Sequence, residues 1–328
     1  MPFLPMVIPI WLMSIIAFGV CWLTLFLLLQ RVARLPMDHP NARSLHVTPT
    51  PRVGGVGIIV AILISSILIQ SPVLLPFMLG AIVLAAISLL DDYKNLSAQW
   101  RLLAHVIVAI LSVLMVSPIN GVSLVLAILA IVWMTNLYNF MDGADGLAGG
   151  MTVIGFGTLA LAANWAGVSD LALFCAAIAA AALAFLRFNF PPAKIFMGDA
   201  GSIPLGFLAA SISVYGAAQN YWPPLFPMMI FSPFILDASV TLLKRALRDE
   251  KIWHAHREHY YQRLVRMGWS HKKMTLAAYA LMLFCAMVAL TYLLQPEWSV
   301  LLIALWLSSF LLIFIALDWR WSHMKHEI

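Results

Sequence analysis

Asn136-Leu137-Tyr138-Asn139-Phe140-Met141-Asp142-Gly143-Ala144-Asp145-Gly146-Leu147-Ala148-Gly149 closes one long apolar run and opens the next. Asn136, Asn139, Asp142 and Asp145 recur every third residue, so two amides and two carboxylates emerge together where the chain leaves an apolar segment. A helix would set the first three on roughly one face. Gly143 and Gly146 then break that helix and let backbone approach a ligand closely. A polar helix end before a glycine turn explains one such group. Four of them, in a chain of which only 10% is charged, point to a binding site, because carboxylates at membrane depth are expensive.

Working outward, composition sets the class. The 328 residues are 63% hydrophobic, with a mean hydropathy of +0.94, which predicts an all-α polytopic membrane protein forming a single integral domain over 1–328. Runs of the length that spans a bilayer, about 17 to 25 residues, number about eleven: 6–30, 53–70, 72–90, 102–118, 121–139, 147–166, 169–186, 201–218, 223–243, 274–294 and 299–317. Only Gln70 and Ser71 separate the second from the third, so a tight hairpin is expected there. The first run lacks cationic flanks and a small-residue exit, and reads as a retained helix. Cys21, Cys175 and Cys285 each sit inside an apolar run, with neither disulfide nor metal spacing, and read as packing residues.

The net charge of +5 follows the topology. With eleven spans, all 19 Lys and Arg residues fall on one side. The positive-inside rule makes that side cytoplasmic, with the N-terminus outside and the C-terminus inside. This distribution excludes nucleic acid as a partner and leaves the lipid bilayer. Function is expected on the basic face, where the loops are long.

Four loops on that face carry chemistry. Pro49-Thr50-Pro51-Arg52-Val53-Gly54-Gly55 offers an extended backbone, a fixed cation and exposed glycine amides, which can receive a phosphate or simply obey the charge rule. Asp91-Asp92-Tyr93-Lys94-Asn95, followed by Arg101, pairs adjacent carboxylates that repel unless cations or a divalent metal compensate. Asn189-Phe190-Pro191-Pro192-Ala193-Lys194-Ile195-Phe196-Met197-Gly198-Asp199 brings an amide, a cation, a stacking ring and a carboxylate that is either a helix N-cap or a hard-cation ligand. The fourth loop, after Asp237 in the ninth run, holds His254, His256, Arg257 and His259 without a zinc pattern. Its Tyr260, Tyr261, Leu264 and Trp269, interleaved with Arg263 and Arg266, suggest an amphipathic helix lying on the membrane surface.

In this order and on one face, P-T-P-R-x-G-G at 49–55, D-D at 91–92, N-x-x-N-x-x-D-G-x-D-G-L-A at 136–148 and F-N-x-x-P-A-K-x-F-M-G-D-x-G-S at 188–202 resemble the polyprenyl-phosphate N-acetylhexosamine-1-phosphate transferases. That family includes the phospho-N-acetylmuramoyl-pentapeptide transferases and the enzymes that initiate O-antigen, and the resemblance covers nearly the whole chain. It implies transfer of a sugar 1-phosphate from a UDP-N-acetylhexosamine to undecaprenyl phosphate at the bacterial inner membrane, with Mg2+ or alternatively Mn2+, and it allows a homodimer.

Carried over by position, Asp199 and Asp92 resemble the metal ligands, and Asp91 and Asp92 the catalytic pair. Asn136, Asn139, Asp142, Asp145, Asn189 and Phe196 match the nucleotide-sugar wall. Arg52, Arg101, Lys194, Arg257 and His259 match phosphate-binding positions. Asn95 replaces a third Asp found in some relatives, and Tyr261 and Gln262 stand where many carry histidines. The His259-to-Leu264 string looks closer to the branch acting on sugars such as N-acetylfucosamine or N-acetylquinovosamine. Two rivals predict other patterns. An intramembrane prenyltransferase would carry two similar Asp-rich motifs, and a lipid-linked sugar transporter would carry charges along a midplane path.

Overall fold

In a bilayer each peptide N–H and C=O must find its partner within the chain, which leaves the helix as the one open structure an apolar run can adopt. The computed structural model describes residues 8–32, 35–40, 48–94, 96–116, 119–251 and 256–326, with Asp92, Tyr93, Lys325 and His326 described by backbone alone. Asn95 and His254 lie outside the described residues. The helices are α1 (Ile10–Leu29), α2 (Gly54–Ile69), α3 (Leu75–Lys94), α4 (Ala98–Val116), α5 (Gly121–Phe140), α6 (Leu147–Trp165), α7 (Ser169–Asn189), α8 (Asp199–Ala218), α9 (Leu225–Ala246), α10 (Tyr260–Arg266), α11 (His271–Leu294) and α12 (Ser299–His326). The described strands, β1 (Met37–Asp38) and β2 (Thr50–Pro51), pair antiparallel, Met37 opposite Pro51.

Among the described residues ten helices are long and apolar enough to cross a membrane, and the eleventh apolar run, α2, has 16 residues. At a rise of about 1.5 Å per residue α2 is about 24 Å long, short of a hydrocarbon core of about 30 Å. The expected hairpin is present: Gln70 turns left-handed at φ 56°, and a 3-10 turn at Pro72–Leu74 starts the return. α8 is the most enclosed span, and α12 and α1 are the least. α8 packs on α5, α3 and α2, so its first residue, Asp199, lies where their ends meet. The three cysteines are buried.

Two expectations fail for identifiable reasons. α12 runs nine residues past the predicted end at 317, because no Gly or Pro interrupts 318–326, and Asp318 is tied to Lys244, to the Tyr260 hydroxyl and to Arg263.

α10 is not a surface helix. Its consecutive residues Tyr260, Tyr261, Gln262 and Arg263 are all buried, so it has no lipid face opposite a water face. The cause is Asp237 of α9, which accepts the N–H groups of Tyr260 (2.9 Å) and Tyr261 (3.1 Å) and lies 3.2 Å from His259 Nδ1. One carboxylate thus satisfies the helix's first free amides. Asp237→Ala leaves those amides without an acceptor and is expected to destabilise the protein by about 2 kcal/mol or more. An unchanged thermal unfolding midpoint in detergent would refute this role.

Candidate active site

The loop before α2 and the loop before α8 are joined by backbone alone. Phe196 N–H donates to Pro51 O at 2.7 Å, Gly54 N–H to Phe196 O at 2.8 Å, and Gly55 N–H to Met197 O at 2.8 Å. The Gly54-Gly55 amides are therefore occupied and not open to a phosphate. These glycines serve helix approach instead: a Cβ on Gly55 would lie 2.3 Å from both N and Cα of Gly201 in α8. The clip sets Arg52 and Asp199 at the same end of the bundle.

The loop between α5 and α6 is held from several directions. Asn189, at the end of α7, accepts Gly146 N–H at 2.9 Å and donates to Ile195 O at 2.8 Å. Asp145 accepts Ala193 N–H at 3.0 Å and lies 3.8 Å from His271 Nδ1. From α11, Thr275 donates to Asp145 O and Tyr279 to Gly146 O, both at 2.7 Å. The Tyr261 hydroxyl donates to Phe140 O at 3.1 Å. The close approaches that Gly143 and Gly146 allow are thus made by protein side chains, Tyr261 and Tyr279.

Within this frame an acidic cluster forms. Asp199 occupies the first turn of α8 behind Gly198, and no side-chain cap bond is made there, so its carboxylate is free of the N-cap role. The Asn139 side chain lies beside it, and it feels the charges of Arg101, Arg52 and Asp91. Arg101 Nη1 lies 3.0 Å from Asp91 Oδ2 and 3.8 Å from Asp199 Oδ2. Asp91 Oδ1 accepts Leu96 N–H at 2.6 Å, so both Asp91 oxygens are engaged. Asp142 lies in the loop close to the Gly198 amide; burial first, and the charge of Asp199 second, hold its carboxyl well above the usual range. Asp199 remains accessible, its side chain 37% exposed.

The structure thus brings Asn139, Asp142, Asp199, Asp91, Arg101 and Arg52 together. Asp145 and Asn189, expected in the nucleotide-sugar wall, also hold the loops, Asp145 through Oδ2 and Asn189 through both its amide atoms. Asn136 donates to Val132 O at 2.7 Å and lies beside the buried His105. Phe196 is half-buried beside the clip.

Lys194 is exposed, and Arg257 gives its carbonyl to Arg266 at 3.0 Å. No ion pair joins either of these cations to the cluster among the described residues. His259 is buried, its Nδ1 against Asp237, so its ring faces protein rather than an open phosphate site. The Asp92 side chain lies outside the described residues.

Sequence reasoning gave His271 and Tyr261 no role in the site and read His105 as structural or solvated. For His271 a signal existed, the Ser270-His271 helix start, where Ser270 Oγ accepts Lys273 N–H at 3.2 Å.

Residues 74–217 match the family model described as glycosyl transferase family 4. The chain is 30% identical over 290 residues, 81% of each chain, to a probable undecaprenyl-phosphate N-acetylglucosaminyl 1-phosphate transferase of Bacillus subtilis. It is 26% identical over 320 residues, 86% of this chain and 98% of the relative, to a phospho-N-acetylmuramoyl-pentapeptide-transferase of Staphylococcus saprophyticus. A further relative, 26% identical over 303 residues (84% and 82%), is an undecaprenyl-phosphate alpha-N-acetylglucosaminyl 1-phosphate transferase of Yersinia pestis. The matched region runs from the start of α3 to the end of α8 and so contains Asp91, Arg101, Asn139, Asp142 and Asp199, five of the six clustered groups. With ten helices long and apolar enough to cross a membrane among the described residues, and with these relatives, the chain belongs to glycosyl transferase family 4, as a multi-pass membrane protein of the polyprenyl-phosphate N-acetylhexosamine-1-phosphate transferase kind.

Proposed function

We propose that this protein transfers an N-acetylhexosamine 1-phosphate from a UDP-N-acetylhexosamine to undecaprenyl phosphate, on the cytoplasmic face of a bacterial inner membrane. The products are undecaprenyl-diphospho-sugar and UMP. The observation that carries this reading is the convergence of Asp142, Asp199 and Asn139 with Arg101 and Arg52 at the charged end of an apolar bundle. That arrangement suits a diphosphate delivered from water and a phosphate delivered from lipid.

A terminal phosphate oxygen of the lipid forms a bond to the sugar-bearing phosphorus, and the bond from that phosphorus to the oxygen leading to uridine breaks, releasing UMP. The second pKa of a phosphomonoester is about 6, so the acceptor is already largely a dianion at neutral pH and needs little help from a base. This suits Asp91, whose two oxygens are taken by Arg101 and the Leu96 amide. Its role is to aim Arg101 at the reacting phosphates, where a fixed cation offsets charge that develops in the transition state. Arg52 does the same from the opposite loop.

The carboxylates of Asp142 and Asp199 repel across a half-buried gap, the condition a divalent cation relieves. No group of three His, Cys, Asp or Glu is arranged to hold a metal among the described residues. Two carboxylates suffice for magnesium, which keeps waters and takes substrate phosphates as its other ligands. Asp199 and Asp142 would hold Mg2+, or Mn2+ in its place, and the bound ion supplies neutralisation of the diphosphate oxygens.

The assignment to N-acetylglucosamine, N-acetylfucosamine or N-acetylquinovosamine, and to O-antigen or a related envelope polysaccharide, rests on the relatives and on the His259–Leu264 string. Purified protein in detergent with undecaprenyl phosphate and a panel of UDP-N-acetylhexosamines is expected to release UMP with at least one donor. Chelation should abolish release, and Mg2+ should restore it. No UMP with any donor would sink the proposal, and consumption of a prenyl diphosphate would favour the prenyltransferase rival.

A further inference from the structure

α10 reaches the acidic cluster through one side chain. The Tyr261 hydroxyl donates to the carbonyl of Phe140, the last residue of α5, at 3.1 Å. The same oxygen packs closely against Gly143. One hydroxyl therefore meets both ends of the Phe140–Gly143 turn, by a hydrogen bond at Phe140 and a close contact at Gly143, and Asp142 lies between them. A side chain at 143 is excluded for this reason, since a Cβ there would sit 2.2 Å from the Tyr261 oxygen.

The ring is itself held firmly. It is buried, lies nearly parallel to the His259 ring (centroids 5.9 Å apart, planes at 12°), and its backbone N–H is on Asp237 at 3.1 Å. Burial, and then the charges of Asp237 and Asp142, push the phenol's pKa up, so the proton that bonds Phe140 stays in place.

We propose that Tyr261 is a positioning residue for the phosphoryl transfer, its hydroxyl fixing the Phe140–Gly143 turn so that Asp142 stays beside Asp199. The inference deepens the function proposed above and rests on that reading. Asp142 touches the reacting groups; Tyr261 acts through it. A chain of support follows, from Asp237 to the start of α10, from Tyr261 to the turn, and from the turn to the cluster.

Tyr261→Phe keeps the ring, its stacking and its burial and removes only the hydroxyl. The variant should lose about tenfold in kcat, the worth of one hydrogen bond of ordinary strength. KM for the UDP-sugar and the thermal unfolding midpoint should stay at wild-type values. Hydrogen–deuterium exchange of the segment 141–147 should quicken. Wild-type kcat, or a kcat loss that only tracks a fall in the unfolding midpoint, would overturn the proposal. So would unchanged exchange over 141–147. A wild-type protein that releases no UMP would sink the functional reading instead, while the exchange measurement would still decide whether the hydroxyl holds the turn.

Gly143→Ala gives an independent check. Alone it must displace the hydroxyl, whereas beside Tyr261→Phe the nearest ring atom, Cζ, is 3.3 Å from the new Cβ. The double variant should therefore be no slower than the worse single one, and multiplying losses would refute the coupling.

Discussion

Asp199→Asn is expected to lower UMP release at least about 1000-fold while leaving the unfolding midpoint close to that of the wild type. Removal of one preorganised electrostatic element from a transfer site costs about two to three orders of magnitude, and here the same change also removes one of two carboxylates facing a metal. The fold should tolerate it, because Asp199 caps no helix and its side chain is partly open to the cleft. The Asn139 amide beside it can donate to the new amide oxygen as well as to the carboxylate.

Asp91→Asn is the instructive contrast. It keeps an oxygen for Leu96 N–H and weakens the hold on Arg101, so a loss of about ten- to one-hundredfold with some turnover remaining is expected. Steady-state UMP release across a magnesium titration separates the two. Asp199→Asn activity that recovers fully at high magnesium would place the residue outside the metal's reach. A phosphorylated aspartate trapped in the wild-type protein would replace direct attack by a covalent route.

Much of this site is legible in the sequence. Acceptor-rich groups next to glycine, in a chain otherwise almost devoid of charge, marked Asn139, Asp142 and Asp199, because lipid tolerates such groups only where they have partners or a function. The charge rule put the loops on one face, and the structure joins those loops at one end of the bundle.

What stayed hidden is the division of labour. Asp145 and Asn189 have the same chemistry as Asp142 and Asn139, and only the fold shows that theirs satisfies backbone amides of the neighbouring loop. A pair of glycines reads equally well as an anion cradle or as a helix contact, and the carbonyls of Phe196 and Met197, which decide the matter, lie more than 140 residues downstream. The burial of α10 was hidden for a like reason. Its amides are satisfied by Asp237, whose charge inside an apolar span was itself the available signal.

Gly55→Ala should be strongly damaging for a substitution that adds a single methyl group, and Gly55→Val should leave little folded material. The Cβ of either residue would lie 2.3 Å from Gly201 N and Cα and 2.9 Å from Ala200 C, all of them backbone atoms that no rotamer change can move. The contact is reciprocal: a Cβ on Gly201 would sit 2.6 Å from Gly55 Cα. Helices that meet in lipid gain attraction from close backbone packing on small residues, so forcing this pair apart forfeits that packing along the α2–α8 seam. It also stretches the hydrogen bonds from Gly54 and Gly55 to Phe196 and Met197, which hold the Arg52 loop against the start of α8. Asp199 lies two residues from the collision, so the cluster should be displaced along with the seam. A cost of about 3 kcal/mol or more is expected for Gly55→Ala, as for other overpacked sites with no room to relax, together with loss of UMP release. Gly157→Ala is the matched control, since its Cβ meets nothing within 4 Å, and it should leave stability unchanged or raise it by up to about 1 kcal/mol. Thermal unfolding and size-exclusion profiles of the two variants in one detergent decide the matter. A Gly55→Ala protein that is monodisperse, melts with the wild type and turns over normally would mean that α2 and α8 are not in glycine contact, and that the clip between their loops does not position Asp199.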